Sequence, residues 1–92
     1  MHSVRFLDTP NGPIVIADVS PQQLRDEISA RLLRKSLSRT LGGAPVLLRC
    51  HAGNTFAFSG DPNLQRYAVD PMLEVLPTVE IYLEPGLPVR AA

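Results

Sequence analysis

Apolar positions along the chain fall into short runs separated by turn-forming residues. Val4-Arg5-Phe6-Leu7 and Ile14-Val15-Ile16-Ala17 flank Asp8-Thr9-Pro10-Asn11-Gly12-Pro13, where Pro-Asn-Gly is strong turn chemistry. This pattern predicts a β-hairpin with a loop over residues 8–13. The next stretch, Val19-Ser20-Pro21-Gln22-Gln23-Leu24, carries four agreeing helix-start signals. Ser20 is a natural N-cap, Pro21 suits the first helical position, Gln23 completes a capping box, and Val19 with Leu24 forms a hydrophobic staple. The helix is expected to run to about Thr40 and to stop at Gly42-Gly43, which can take left-handed conformations after a last turn.

Helical periodicity splits the apolar residues of this segment into two arcs, Leu24, Ile28 and Leu32 on one and Leu33, Leu37 and Leu41 on the other. One surface helix does not need both. Either the helix breaks near Arg34 to Ser36 and its end re-packs, or the second stripe meets another surface or a partner. The break is the preferred reading, because terminal turns bend to cover a small core. Val46 to His51 and Thr55 to Phe58 predict a second hairpin. A loop of Ala52-Gly53-Asn54 pairs Cys50 with Phe56 and Leu48 with Phe58. That register keeps Val46, Leu48, Cys50, Phe56 and Phe58 inside, with Leu47, Arg49 and His51 outward. A two-residue turn at Ala52-Gly53 sets Arg49 against Phe56 and is disfavoured.

Asp61-Pro62 and Asp70-Pro71 each read as a cap followed by the first residue of a short helical turn. Thr78 to Glu84 alternates strictly, with Val79, Ile81 and Leu83 inward and Glu80, Tyr82 and Glu84 outward. Residues 85–92 hold two prolines and no period. The expected organisation is one α+β domain over 1–84 and a flexible tail over 85–92.

Composition narrows the function classes. The chain has 92 residues, 45% hydrophobic and 20% charged, with nine basic against nine acidic residues. Disordered charged tails and strongly basic nucleic-acid modules do not have this balance. No apolar run approaches the roughly 20 residues of a membrane span, and the N-terminus lacks the basic-then-apolar pattern of a secretory leader. A lone Cys50 forms no internal disulfide and fits a reducing, cytoplasmic setting.

The order strand, strand, helix, strand, strand, irregular segment, strand is that of a β-grasp, a mixed sheet of four to five strands packed on one main helix. Asp61, Leu64, Tyr67 and Val69, followed by the alternating Val79, Ile81 and Leu83, stand where ubiquitin-like proteins carry an Asp-Gly turn, a leucine, a tyrosine, an apolar residue and an apolar last strand. On those residues the chain resembles the ubiquitin-like family. The segment Asp70 to Pro77 is longer than its counterpart in ubiquitin. The resemblance implies a bacterial-type ubiquitin-like protein acting through protein contacts. It includes a post-translational modifier branch, in which a C-terminal glycine is joined to targets. This chain ends Arg90-Ala91-Ala92, so that branch requires a precursor processed at Gly86, with activating enzyme, conjugating enzyme and peptidase as partners. Lys35, the only lysine, is then the one side-chain acceptor for chain growth. The alternative is a non-conjugated adaptor or structural subunit that joins an assembly through its sheet face, or self-associates through the helix.

In a β-grasp the last strand lies between the first and third. Leu47, Arg49 and His51 are therefore expected beside Glu80 and Tyr82, as a binding patch with an apolar centre and polar border. Arg31, Arg34, Lys35 and Arg39 make a basic helix end that complements the helix dipole. Neutral net charge, few aromatics and the absence of tryptophan argue against a nucleic-acid surface. Adjacent Cys50 and His51 point to opposite faces of a strand, so no thiol–imidazole pair forms. No metal, cofactor or catalytic constellation is implied, and the expectation is a protein that is not an enzyme.

Overall fold

Tight turns and paired strands set the architecture, seen in a computed structural model that describes residues 1–83. Glu84 and the tail, including Gly86, lie outside the described residues. The fold is α+β, with β1 (His2–Thr9), β2 (Gly12–Asp18), α1 (Pro21–Arg25), α2 (Glu27–Thr40), β3 (Val46–Ala52), β4 (Thr55–Ser59), α3 (Gln65–Ala68) and β5 (Val79–Ile81). Two 3₁₀ turns, Pro62–Leu64 and Pro71–Val75, flank α3.

The strands form one mixed sheet in the order β4-β3-β2-β1-β5. The two hairpins are antiparallel, while β2 and β3 run parallel, Ile16 opposite Leu47. Parallel neighbours need a crossover, which α1 and α2 provide. The expectation that the last strand lies between the first and third is not met. Because β3 takes the free edge of β2, the only remaining edge of the first hairpin is the outer side of β1, and β5 pairs there antiparallel, His2 opposite Ile81.

Both hairpin loops are shorter than expected. Thr9 pairs with Gly12, leaving Pro10-Asn11 as the turn, because the Thr9 hydroxyl donates to the Gly12 carbonyl at 2.7 Å and accepts the Asn11 amide at 3.1 Å. In the second hairpin Ala52 pairs with Thr55 around Gly53-Asn54, with Gly53 at φ 70°. A left-handed first turn residue matches the strand twist in a two-residue turn. The register therefore sets His51 opposite Phe56, Cys50 opposite Ala57 and Arg49 opposite Phe58. Both phenylalanines share the face of Leu47, Arg49 and His51 instead of the face of Leu48 and Cys50.

The helical segment starts at Pro21 as its caps predict, with Gln23 Oε1 accepting from the Ser20 amide at 2.9 Å. Its break falls at Asp26 (φ −105°, ψ 117°) and not at Arg34 to Ser36. The Asp26 carboxylate accepts from the Ile28 amide at 3.1 Å and the Ser29 hydroxyl at 2.8 Å, so the chain begins a second helix there. This bend lets Leu24 of α1 share a core with Ala30, Leu33 and Leu37 of α2 and Leu41 just after it, together with Val4, Val15, Ala17, Val46 and Leu48 of the sheet. After Thr40, Leu41 and Gly43 donate back to Leu37 and Ser38, with Gly42 and Gly43 at positive φ.

The opposite sheet face is also covered. Leu64, Tyr67, Ala68, Leu73 and Leu76 pack on Ile14, Ile16, Leu47, Leu7 and Phe58. Two aspartate–proline starts shape this cover: Asp61 accepts from the Asn63 amide and Asp70 from the Met72 amide, each at 2.9 Å. Gly60 enters the cover at φ 142°, where a Cβ would stand 2.9 Å from Leu47 Cδ1 and 3.1 Å from the Val46 carbonyl.

Candidate functional site

The expected sheet patch is not assembled. Leu47 is 0% and Arg49 1% exposed, because the 62–76 cover lies over the sheet face they share. Only His51, Glu80 and Tyr82 of the five reach solvent. They are also separated, since β3 and β5 have β2 and β1 between them. Glu80 instead meets Ser3, whose hydroxyl donates to it at 3.0 Å. Lys35 is exposed on α2, and Gly86 falls outside the described residues.

Arg49 is the centre of a polar cluster on the covered face. Its Nε donates to Asp18 Oδ1 at 2.7 Å, and its Nη1 to the Ala68 carbonyl at 2.8 Å and to Glu74 Oε2 at 3.0 Å. Its guanidinium carbon sits 4.5 Å from the Phe56 ring centroid, a cation–π contact. Arg5 completes the set, 2.8 Å from Asp18 and 3.6 Å from Glu74. Burial alone would lower the Arg49 pKa, but the bonds and charges of Asp18 and Glu74 outweigh it and raise the pKa above its ordinary value. Two cations and two carboxylates thus neutralise one another, and the cluster fastens β2, β3 and the cover together. This use of its groups leaves no unpaired acid, base or nucleophile in it.

Cys50 is buried on the helix side and donates to the His51 carbonyl at 3.3 Å, while the His51 ring meets Phe56 at a tilt of 53°, centroids 4.7 Å apart. Among the described residues no three His, Cys, Asp or Glu side chains gather as a metal site, and no helix there is long and apolar enough to cross a membrane.

A cleft of about 610 Å³ opens between the β1–β2 turn, the loop after α2 and the turn entering α3. Several of its polar side chains are engaged in local structure: Thr9 and Asp61 close their own turns, and Arg66 donates to the Tyr67 hydroxyl at 2.9 Å and lies over its ring.

The surfaces with unspent apolar area are elsewhere. On α2, Ile28 is 66% and Leu32 59% exposed. At about 100° per residue they lie together on the side away from Ala30 and Leu37. Arg31, Lys35 and Arg39 share this side and make no ion pair among the described residues, whereas Arg34 turns aside to Glu27 and Ser59. On the cover, Met72 is 68% and Val75 71% exposed. Residues three apart eclipse in a 3₁₀ turn, so these two form one outward strip while Leu73 and Leu76 face in. Val69 extends the strip, and Asp70 and half-exposed Glu74 border it.

A comparison with family models, with curated proteins and with solved structures finds no match to this chain.

Proposed function

We propose that this chain is a non-enzymatic, cytoplasmic protein-interaction module, an adaptor or structural subunit that docks through the outward side of α2. The observation that carries this reading is the pair Ile28 and Leu32, two large aliphatic side chains left more than half exposed within a basic ridge that makes no ion pair among the described residues. Buried centres of apolar contact with charged rims are how such surfaces bind. The arginine–carboxylate cluster supports it as well, since its charged groups are spent on holding the fold.

A helix packed across a five-stranded mixed sheet is compatible with a β-grasp in element order alone, and the ubiquitin-like reading rests on the sequence resemblance. The chain departs from that architecture in setting β5 at the sheet edge and β2, not β5, beside β3. The modifier branch, matured at Gly86 by a peptidase and served by activating and conjugating enzymes, gains no support from the described residues.

The test places a photo-crosslinking p-benzoylphenylalanine in place of Leu32, in cells making the protein, and a second one in place of His51 as an exposed control. A discrete adduct with one protein from position 32, absent from position 51, is expected. Equal labelling at the two positions, or none at 32, overturns the reading.

A further inference from the structure

Two exposed apolar strips among the described residues match each other in length, one on α2 and one on the cover. Ile28 and Leu32 are four α-helical residues apart, a rise of about 6 Å. Met72 and Val75 are three 3₁₀ residues apart, again about 6 Å. Their surroundings are opposite in charge. The segment 21–40 holds five basic residues against two acidic, and 61–76 holds three acidic against one basic, Arg66, which lies over Tyr67. Asp70, like Arg31, Lys35 and Arg39, makes no ion pair among the described residues.

We infer that the partner of the α2 ridge is a second copy of this chain, which presents its 69–75 strip. The identification rests on the docking surface proposed above and names its occupant. With the 3₁₀ turn antiparallel to α2, Met72 covers Leu32 and Val75 covers Ile28, and Asp70 comes to the basic end at Lys35 and Arg39. The ridge and the strip lie on opposite faces of the sheet. The contact is therefore heterologous: of two joined copies one keeps a free strip and the other a free ridge, and assembly propagates head to tail into a ring or a filament. Four or five apolar side chains make a small contact, below the roughly 1,200 Å² of a stable interface, so each link is weak and the assembly depends on concentration.

Sedimentation of the purified full chain between about 10 μM and about 1 mM tests this. The wild type is expected to shift to heavier species as concentration rises, and less so at high salt, which screens the charged border. Leu32→Asp and Met72→Asp each remove one half of the contact and are expected to weaken association about tenfold or more. Mixing the two variants pairs the intact strip of the first with the intact ridge of the second. The mixture is expected to give dimers and nothing larger. If either substitution lowers the melting temperature, Leu32→Gln and Met72→Gln replace them. A wild type that stays monomeric throughout overturns the inference, as does a Met72→Asp variant that still associates, which would mean ridge meets ridge. A monomeric chain whose position 32 still crosslinks a different protein sinks the second copy and leaves the docking surface standing; absence of both sinks both.

Discussion

Arg49 joins groups from four places in the chain: Asp18 of β2, Phe56 of β4, the Ala68 carbonyl and Glu74 of the cover. Its planar fork makes these bonds at once, which a lysine ammonium cannot copy. Arg49→Met keeps the volume but strands the carboxylates. Asp18 and Glu74 remain 31% and 52% accessible and can be rehydrated, so the loss lies below that of a fully buried pair, at about 2 kcal/mol by urea denaturation. Arg49→Lys is expected to restore less than half. In the sequence, alternation alone sets Arg49 outward between Leu48 and Cys50, and Leu47 with it. The signal for burial lies in the consecutive runs Ile14 to Ala17 and Val46 to Leu48. A strand apolar at successive positions is covered on both faces, and a residue interrupting such a run needs partners of its own. What those partners are is not legible, because Asp18 and Glu74 come from 31 and 25 residues away.

At the scale of elements, local chemistry was the most readable. Pro21, Pro62 and Pro71 each begin a helical turn, two of them behind an aspartate that caps it. The break expected at Arg34 to Ser36 is absent, since α2 runs unbroken through it, and the bend lies at Asp26 instead. The bend brings Leu24 to the stripe of Leu33, Leu37 and Leu41 while Ile28 and Leu32 stay exposed, and its signal, Asp26-Glu27 with the residue types of a second N-terminus, stands inside an otherwise unbroken run of helix formers. The strand order was not legible, since either edge of the first hairpin can accept a neighbour, and packing of the crossover helices chooses. Asp26 also makes the bend sensitive to pH. The Ser29 hydroxyl first, then the Ile28 amide, holds its pKa below the ordinary 3.8. A carboxylate depressed in the folded state contributes stability above its unfolded pKa and loses it as pH falls through the folded value. Asp26→Ala is therefore expected to melt below the wild type at neutral pH. That gap holds down to about pH 4 and closes under stronger acid; a gap unchanged down to strong acid contradicts the charge-assisted cap.

Across the whole molecule, the sheet has two unlike coverings. One is a continuous helix of 14 residues. The other is a chain of short turns, held by side chains and the Arg5–Asp18–Arg49–Glu74 cluster without a ladder hydrogen bond to the sheet. Segments with few backbone bonds to their neighbours open at a lower free energy than the global transition. Hydrogen exchange is expected to show the amides of 64–76 exchanging ahead of β1 to β3, and Glu74→Gln widening that difference while the sheet stays protected. Exchange of cover and sheet in step would mean that the cluster binds them into one cooperative unit. Zero net charge is also a whole-molecule property here, because it conceals a basic helical face and an acidic cover on opposite sides of the sheet.

The two-sided sheet imposes an order on synthesis. Translation delivers β1 to β4 and the helix well before Leu73 and Leu76, so a nascent chain reaches Gly60 with one face sealed and Ile14, Ile16, Leu47 and Phe58 bare on the other. Until the next sixteen residues (61–76) emerge, that surface is a target for chaperones and for other unfinished chains. A message truncated between Gly60 and Leu73 would yield an adhesive half-product rather than a smaller version of the domain.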